Sequence, residues 1–303
     1  MIDFSKIKTY PIAKRGNKAE IKEFSKIGNV EEIIPDIFAG SQFKQMVDAC
    51  AKAVKNNKPV IVMMGGHVIK CGLSPLLIDL MRKKAITHIA MNGAASIHDF
   101  EIAYQGATSE DVQKGLKDGS FGMVEETGKY MNEAINEAYN ETKGQGFALG
   151  RKIVDSNYKN KEFSILAFGY ENKIPISVHV AIGTDIIHQH PSCNGAATGG
   201  TTYRDFKLLT ESVSKLEGGV ILNFGSAVVL PEVFLKALTI ARNLGNQVKH
   251  FTAVNFDMYS QYRPNTNVVQ RPTAEGGKGY SFIGHHEILI PLWYAMLTKR
   301  LES

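Results

Sequence analysis

Cysteine is scarce in this chain. Cys50, Cys71 and Cys193 are odd in number and show no paired spacing, which excludes a disulfide framework and leaves reduced thiols as the expectation. Long apolar runs are missing as well. No stretch approaches the ~20 residues that span a bilayer, and Met1-Ile2-Asp3-Phe4-Ser5-Lys6 offers no hydrophobic signal core; a cytoplasmic protein with no membrane partner is expected. The formal charge of +5 and the pI of 8.9 come from scattered lysines, with no basic tract interleaved with aromatics, so a nucleic-acid partner is not expected. There is no Gly-x-Ser-x-Gly elbow, Phe224-Gly225-Ser226-Ala227 being a partial likeness, and no Gly-Lys-Ser/Thr loop or His-Glu-x-x-His pair. These gaps argue against a serine hydrolase, a P-loop enzyme and a helix-borne zinc protease.

What the chain has is a series of short apolar runs that end in small residues. Pro59-Val60-Ile61-Val62-Met63-Met64 reads as a strand buried on both faces. It runs into the loop Gly65-Gly66-His67-Val68-Ile69-Lys70-Cys71-Gly72-Leu73-Ser74-Pro75, in which Ser74 is placed to cap a helix with Pro75 at its first position. A second strand at Thr87-His88-Ile89-Ala90-Met91 leads to Asn92-Gly93-Ala94-Ala95-Ser96. Strand, glycine loop, helix, strand, glycine loop is the grammar of a parallel βαβ unit, and ligands of such sheets lie beyond the carboxyl ends of the strands.

The same punctuation recurs downstream. Helical stretches are expected at 109–116, 124–138 and 147–154, then a strand within 173–183 that enters the loop Thr184 to Pro191, and a helix near 202–216. A strand at 219–224 ends in Gly225-Ser226-Ala227, and Pro231 is expected to open a helix that Gly245 closes. The fold class expected is α/β: a Rossmann-like, doubly wound, mostly parallel sheet with helices on both faces. A single domain over 1–303 is expected, with 1–57 a peripheral, mostly helical N-terminal extension that holds no sheet-like motif.

At several of these loops the chain resembles the deoxyhypusine synthases, as a divergent branch. Val68-Ile69-Lys70-Cys71-Gly72 looks like that family's Leu-Ile-Ser-Ser-Gly loop, and Asn92 to Asp99 looks like its Thr-Ala-Gly-Gly-Val-Glu-Glu-Asp segment. Asp185-Ile186-Ile187-His188-Gln189-His190 resembles an Asp-Met-Ile-Phe-Phe-His stretch, Arg271-Pro272 the pair before the family's catalytic loop, and Pro291-Leu292 the start of its last helix. The resemblance implies NAD as cofactor, a polyamine or related small amine such as spermidine as substrate, aminobutyl transfer to a lysine of a protein acceptor, and a homotetramer. It implies cofactor contacts at Gly65, Gly66, His67, Val68, Ile69, Lys70, Asn92, Gly93, Ala94, Asn255 and His285, with Asp185 as the polyamine-binding acid that carries over. A lysine suits the transfer because a neutral amine, favoured by burial, attacks an iminium.

The carry-over is incomplete. The acidic pair before Asp99 is replaced by Ile97 and His98, and the turn that leads to the family's catalytic histidine is Gly225-Ser226-Ala227-Val228 without one. The catalytic Trp-Gly-Lys triplet is represented at best by Gly276-Gly277-Lys278, where a shortened loop shifts the lysine toward the beginning of the final strand. Lys278, His98, His188, His286 and Asp185 are therefore the catalytic candidates. A rival reading takes His67, His188, His190, His285 and His286 with Glu287 as ligands of a divalent metal on the same fold. The same imidazoles could instead serve as acid and base without metal. For each one singly a hydrogen-bonding role is the ordinary outcome, and His88 and His250 read as structural. A third reading is a non-catalytic nucleotide- or polyamine-binding homologue.

Overall fold

A computed structural model describes residues 29–302. The chain divides into two units between Gln45 and Met46. Residues 1–28, and with them much of the expected N-terminal extension, lie outside the described residues. In the first unit helix α1 (Val30–Ile33) starts at a reciprocal cap: Asn29 accepts from the Glu31 amide at 3.0 Å, and the Glu32 carboxylate accepts from the Asn29 amide at 2.9 Å. Helix α2 (Phe38–Lys55) follows and continues into the second unit.

The second unit is built on six parallel strands in the order β3-β2-β1-β4-β5-β6. In chain order its elements are β1 (Val60–Met64), α3 (His67–Lys70), α4 (Ser74–Arg82), β2 (His88–Asn92), α5 (Gly93–Gln105), α6 (Val112–Gly115), α7 (Glu125–Asn140), α8 (Gln145–Asp155) and α9 (Ile165–Asn172). Then come β3 (Ile176–His179), α10 (Gly195–Ser214), β4 (Val220–Phe224), α11 (Val229–Asn243), β5 (Thr252–Asp257), α12 (Tyr262–Pro264), β6 (Lys278–Ile283) and α13 (His286–Glu302). This strand order is the doubly wound one, and its topological switch lies between β1 and β4.

Every residue of β1 and β4 is buried, as strands covered on both faces require. Ile61, Met63, Ala90, Ile221 and Ala253 pack against Leu209 and Val213 of α10 and Leu230, Phe234 and Leu238 of α11. Elsewhere Phe224 meets Trp293 of α13 edge-on at 5.5 Å and stacks with Phe256 at 5.2 Å. The expected alternation of strands and helices is present, with local differences. Leu73, not Ser74, holds the cap position of α4, and no side chain caps it there. The helix expected near 202–216 begins earlier, Gly195 to Gly200 forming the first turns of α10 because Asn194 accepts from the Ala196 and Ala197 amides. Gly200 also admits Tyr139 of α7, whose ring lies 2.3 Å from where a Cβ would stand. Pro291 lies inside α13 instead of at its start.

Candidate functional site

The carboxyl ends of the strands carry the expected loops. At the switch point the loops after β1 and β4 touch: a Cβ on Gly65 would lie 2.7 Å from the Gly225 carbonyl oxygen. Gly225 has φ +68, and a Cβ there would lie 2.3 Å from His286 Nε2, so glycine is required twice over at this seam. The turn that lacks its own histidine thus receives one from α13. Beneath it, buried polar atoms lack protein partners: Asn223 Oδ1, Asn255 Nδ2, Asp257 Oδ2 and His286 Nδ1. Asn223 Nδ2 donates to Asn255 Oδ1 at 2.8 Å and to the Ser226 carbonyl at 3.0 Å. Buried donors and acceptors left over in this way call for a partner, either buried water or a bound polar group. The seam therefore joins two backbone loops and one imidazole above a set of unsatisfied buried amide and carboxylate atoms.

Beside the seam is a cavity of 470 Å³. Ile97, Val112, Phe121, Val124 and Ile186 give it apolar walls, and Glu101, Glu110 and Asp185 give it carboxylates. Lys70 and His98 also line it. The imidazole of His98 heads a relay: its Nδ1 lies 2.7 Å from Thr108 Oγ1, Thr108 donates to Glu101 Oε2 at 2.5 Å, and Thr127 donates to Glu101 Oε1 at 3.0 Å. Since the Thr108 proton is committed to the carboxylate, Thr108 must accept from His98, which fixes the proton on Nδ1 and leaves the Nε2 lone pair free. Burial, with the charges of Lys70 and His67 behind it, pushes His98 down to about 4. It is therefore a neutral base at neutral pH.

Asp185 enters the same cavity from the loop after β3. Its carboxylate overlies the first turn of α5, and a Cβ on Gly93 would lie 1.9 Å from Asp185 Oδ2. The space at Gly93, an expected cofactor contact, is taken by this carboxylate. Only 7% of the side chain is exposed, Oδ2 has no hydrogen-bond partner, and burial pushes the carboxyl up to about 6. His188 stands at 3.9 Å and is held by the amides of Gly183 and Asp185, which donate to its Nδ1. Burial lowers the His188 pKa.

The histidines do not form one cluster. His67 and His286 approach with ring centroids 6.1 Å apart, and His285 Nδ1 is 3.7 Å from Glu287 Oε1. His188 belongs to Asp185, and His190 is spent on the Gly122 carbonyl, 2.7 Å from its Nε2, so these two leave the proposed ligand set. Lys278 is exposed and opens β6, paired with Thr252 at the amino edge of the sheet. Parallel topology puts it at the end opposite the loops, which corrects its placement near the site. Asn255, an expected cofactor contact, lies within β5, buried against Asn223. Of the expected cofactor segments, Val68 and Ile69 are buried, while Ala94 and Lys70 face the cavity. Asp99, the matched acid of the second segment, is wholly buried and caps α9, accepting from Ser164 Oγ at 2.5 Å and the amide of Ile165 at 2.8 Å. His88 is buried between Ser212 and Ser177, each at 2.8 Å. Sequence reasoning passed over Glu101, Thr108 and Asp257 as site residues; the nearness of Cys71 to Glu287 is set by a fold contact that no spacing announces.

No family model and no curated protein matches the sequence. Solved structures do match its fold. An LOR/SDH protein from Methanococcus maripaludis S2 aligns at 19% identity and TM-score 0.54, covering 93% of this chain and 73% of that one. AgrE, solved in ternary complex with ornithine and NAD+, aligns at 15% identity and TM-score 0.52 over 92% of this chain. This chain spans 34% of AgrE. A protein described as a deoxyhypusine synthase from Entamoeba histolytica aligns at 12% identity and TM-score 0.52, with 97% of both chains covered. These likenesses establish the α/β fold.

Proposed function

We propose that the protein is an NAD-dependent enzyme that oxidises a small aliphatic amine in the cavity beside the β1–β4 seam. The observation that carries this reading is the cavity itself: three carboxylates set among apolar walls, next to a neutral histidine whose free nitrogen is fixed by the Thr108–Glu101 relay. An alkyl ammonium matches both features, since its chain fills the apolar part and its charge meets Asp185, Glu101 or Glu110. NAD, held at Gly65, Gly66, Ala94 and Gly225 with Asn223 and Asp257 below, supplies a hydride acceptor when bound. Asp185 anchors the ammonium group. His98 Nε2 accepts a hydrogen bond from the reacting nitrogen, which enters as the neutral amine, and the Thr108–Glu101 relay holds the imidazole in the orientation that receives it. Lys70 brings positive charge to the wall nearest the glycine loop.

Resemblance to deoxyhypusine synthase and the fold shared with an ornithine- and NAD+-bound neighbour support the choice of an amine and of NAD. Lys278, at the far edge of the sheet, does not reach the cavity, so the proposed reaction ends at amine oxidation without aminobutyl transfer. Calorimetric titration with NAD, followed by assay of NADH formation with spermidine, putrescine and ornithine, tests the reading. Binding of NAD and reduction with at least one amine are expected. No heat at millimolar NAD, together with no NADH from any of the three, refutes it.

A further inference from the structure

We infer that His67, Cys71 and Glu287 form a binding site for a transition-metal dication of the zinc class. His67 and Cys71 are four residues apart across the single turn of α3, so their side chains leave the same face. Glu287, in the first turn of α13, reaches the same point from the other end of the sequence, and its Oε2 lies 3.5 Å from Cys71 Sγ. One ligand atom from each of the three residues falls within 4.8 Å of the others. With metal–ligand bonds of about 2.0–2.3 Å, tetrahedral donors stand about 3.5 Å apart. The sulfur–carboxylate edge is at that length already, and the imidazole must close by about 1 Å, a side-chain rotation on an exposed residue.

The donor set selects the metal. A thiolate and an imidazole favour zinc, cobalt or nickel over magnesium and calcium, which prefer an all-oxygen shell. Cys71 gives its proton to solvent as the metal–sulfur bond forms. His285 Nδ1 lies 3.7 Å from Glu287 Oε1, near the carboxylate but beyond hydrogen-bond reach. His67 and Glu287 are exposed and Cys71 half-buried, so three protein ligands leave the fourth position open to water or to a substrate's amine or carboxylate. The site stands without the amine-oxidase reading, because none of its three ligands lines the cavity.

Cobalt titration of the untagged, chelator-treated full chain tests it. One equivalent of Co²⁺ per chain is expected, with a sulfur-to-cobalt charge-transfer band that Cys71→Ser abolishes. Glu287→Gln and His67→Ala should each weaken binding at least tenfold, and His250→Ala should not; circular dichroism checks that all four variants are folded. Absence of the band overturns the site. So does a band that survives Cys71→Ser, or one whose affinity is untouched by both Glu287→Gln and His67→Ala, which would mark a lone surface thiolate.

Discussion

Alanine at position 93 is the sharpest probe of the contact between Asp185 and α5. The new methyl would stand 1.9 Å from Asp185 Oδ2 and 2.3 Å from its Cγ, whereas normal contact is about 3.5 Å. The carboxylate must therefore withdraw by about 1.5 Å, and it is attached to a loop pinned by His188 and by His190. Overpacking of this kind costs about 1–3 kcal/mol, and at this chain length each kcal/mol lowers Tm by about 2–4 °C. The control is a double-mutant cycle. In an Asp185→Ala background the obstacle is gone, and Gly93→Ala becomes neutral or slightly stabilising because alanine is the better helix former. The coupling between the two positions should reach about 1–3 kcal/mol by denaturant unfolding. Amine affinity should fall in Gly93→Ala even at temperatures where the protein is fully folded. Additive effects of the two substitutions, or a Gly93→Ala protein with unchanged Tm and amine affinity, would refute the placement of Asp185 over the helix end.

Asp185 also sets a pH dependence. Its carboxyl is raised to about 6 by burial, so amine affinity should climb as pH rises through 6 and level off above it, and Asp185→Asn should bind at least tenfold more weakly with a flat profile. The same group acts on stability in the opposite sense: the folded state favours the protonated form, so the stability it contributes below pH 4 is lost as pH rises through 6, by about 3 kcal/mol at most; urea midpoints of wild type and Asp185→Asn across pH 4–8 check this. The imidazole of His98, held down to about 4 by burial and by Lys70, should show no titration between pH 5 and 8 by NMR. Lys70→Met should move its pKa up, and a wild-type pKa near 6.5 would contradict the desolvated relay. Thr108→Val should reduce amine-dependent NADH formation about 10²-fold while leaving NAD affinity intact, and an unchanged rate would remove the relay from the reaction. Asp99→Ala leaves the Ser164 hydroxyl and the Ile165 amide without their acceptor and should cost about 2–4 kcal/mol in urea unfolding; a loss under 1 kcal/mol would show that water replaces the carboxylate.

The sheet was legible in the sequence where strands were continuous apolar runs that stopped at small residues, as at Val60–Met64 and Val220–Phe224. β5 was not marked as a strand, because Thr252-Ala253-Val254-Asn255-Phe256-Asp257 buries three polar side chains, Thr252, Asn255 and Asp257, where a core strand is expected to be apolar. Gly65, Gly66 and Gly93 were read as cofactor contacts. At Gly93 the room is filled by a carboxylate, and at Gly65 by the backbone of Gly225, since a missing Cβ announces a close approach without naming what approaches. Histidines presented the same difficulty. Seven of them lie in or beside strand-end loops, yet partners such as Thr108 for His98 and the Gly122 carbonyl for His190 are chosen by tertiary packing. Lys278 shows the reverse case, where the expected shift toward the beginning of the last strand had a consequence only topology could reveal.

The strand order bears on how the molecule assembles. Every neighbouring pair is parallel, so no hairpin is available to start the sheet, and each pairing waits for a crossover to close. β1, β2 and β3 pair among themselves, as do β4, β5 and β6, and the two sets meet along one line, from Val60 opposite Val220 to Met64 opposite Phe224. Joining them closes a loop of the length of the whole first half, the slowest kind of contact for a chain to find. Gly65, Gly225 and His286 stand at the end of that line. The β1–β4 seam is thus completed only when this long-range pairing forms, and hydrogen exchange there should report global opening instead of local fraying.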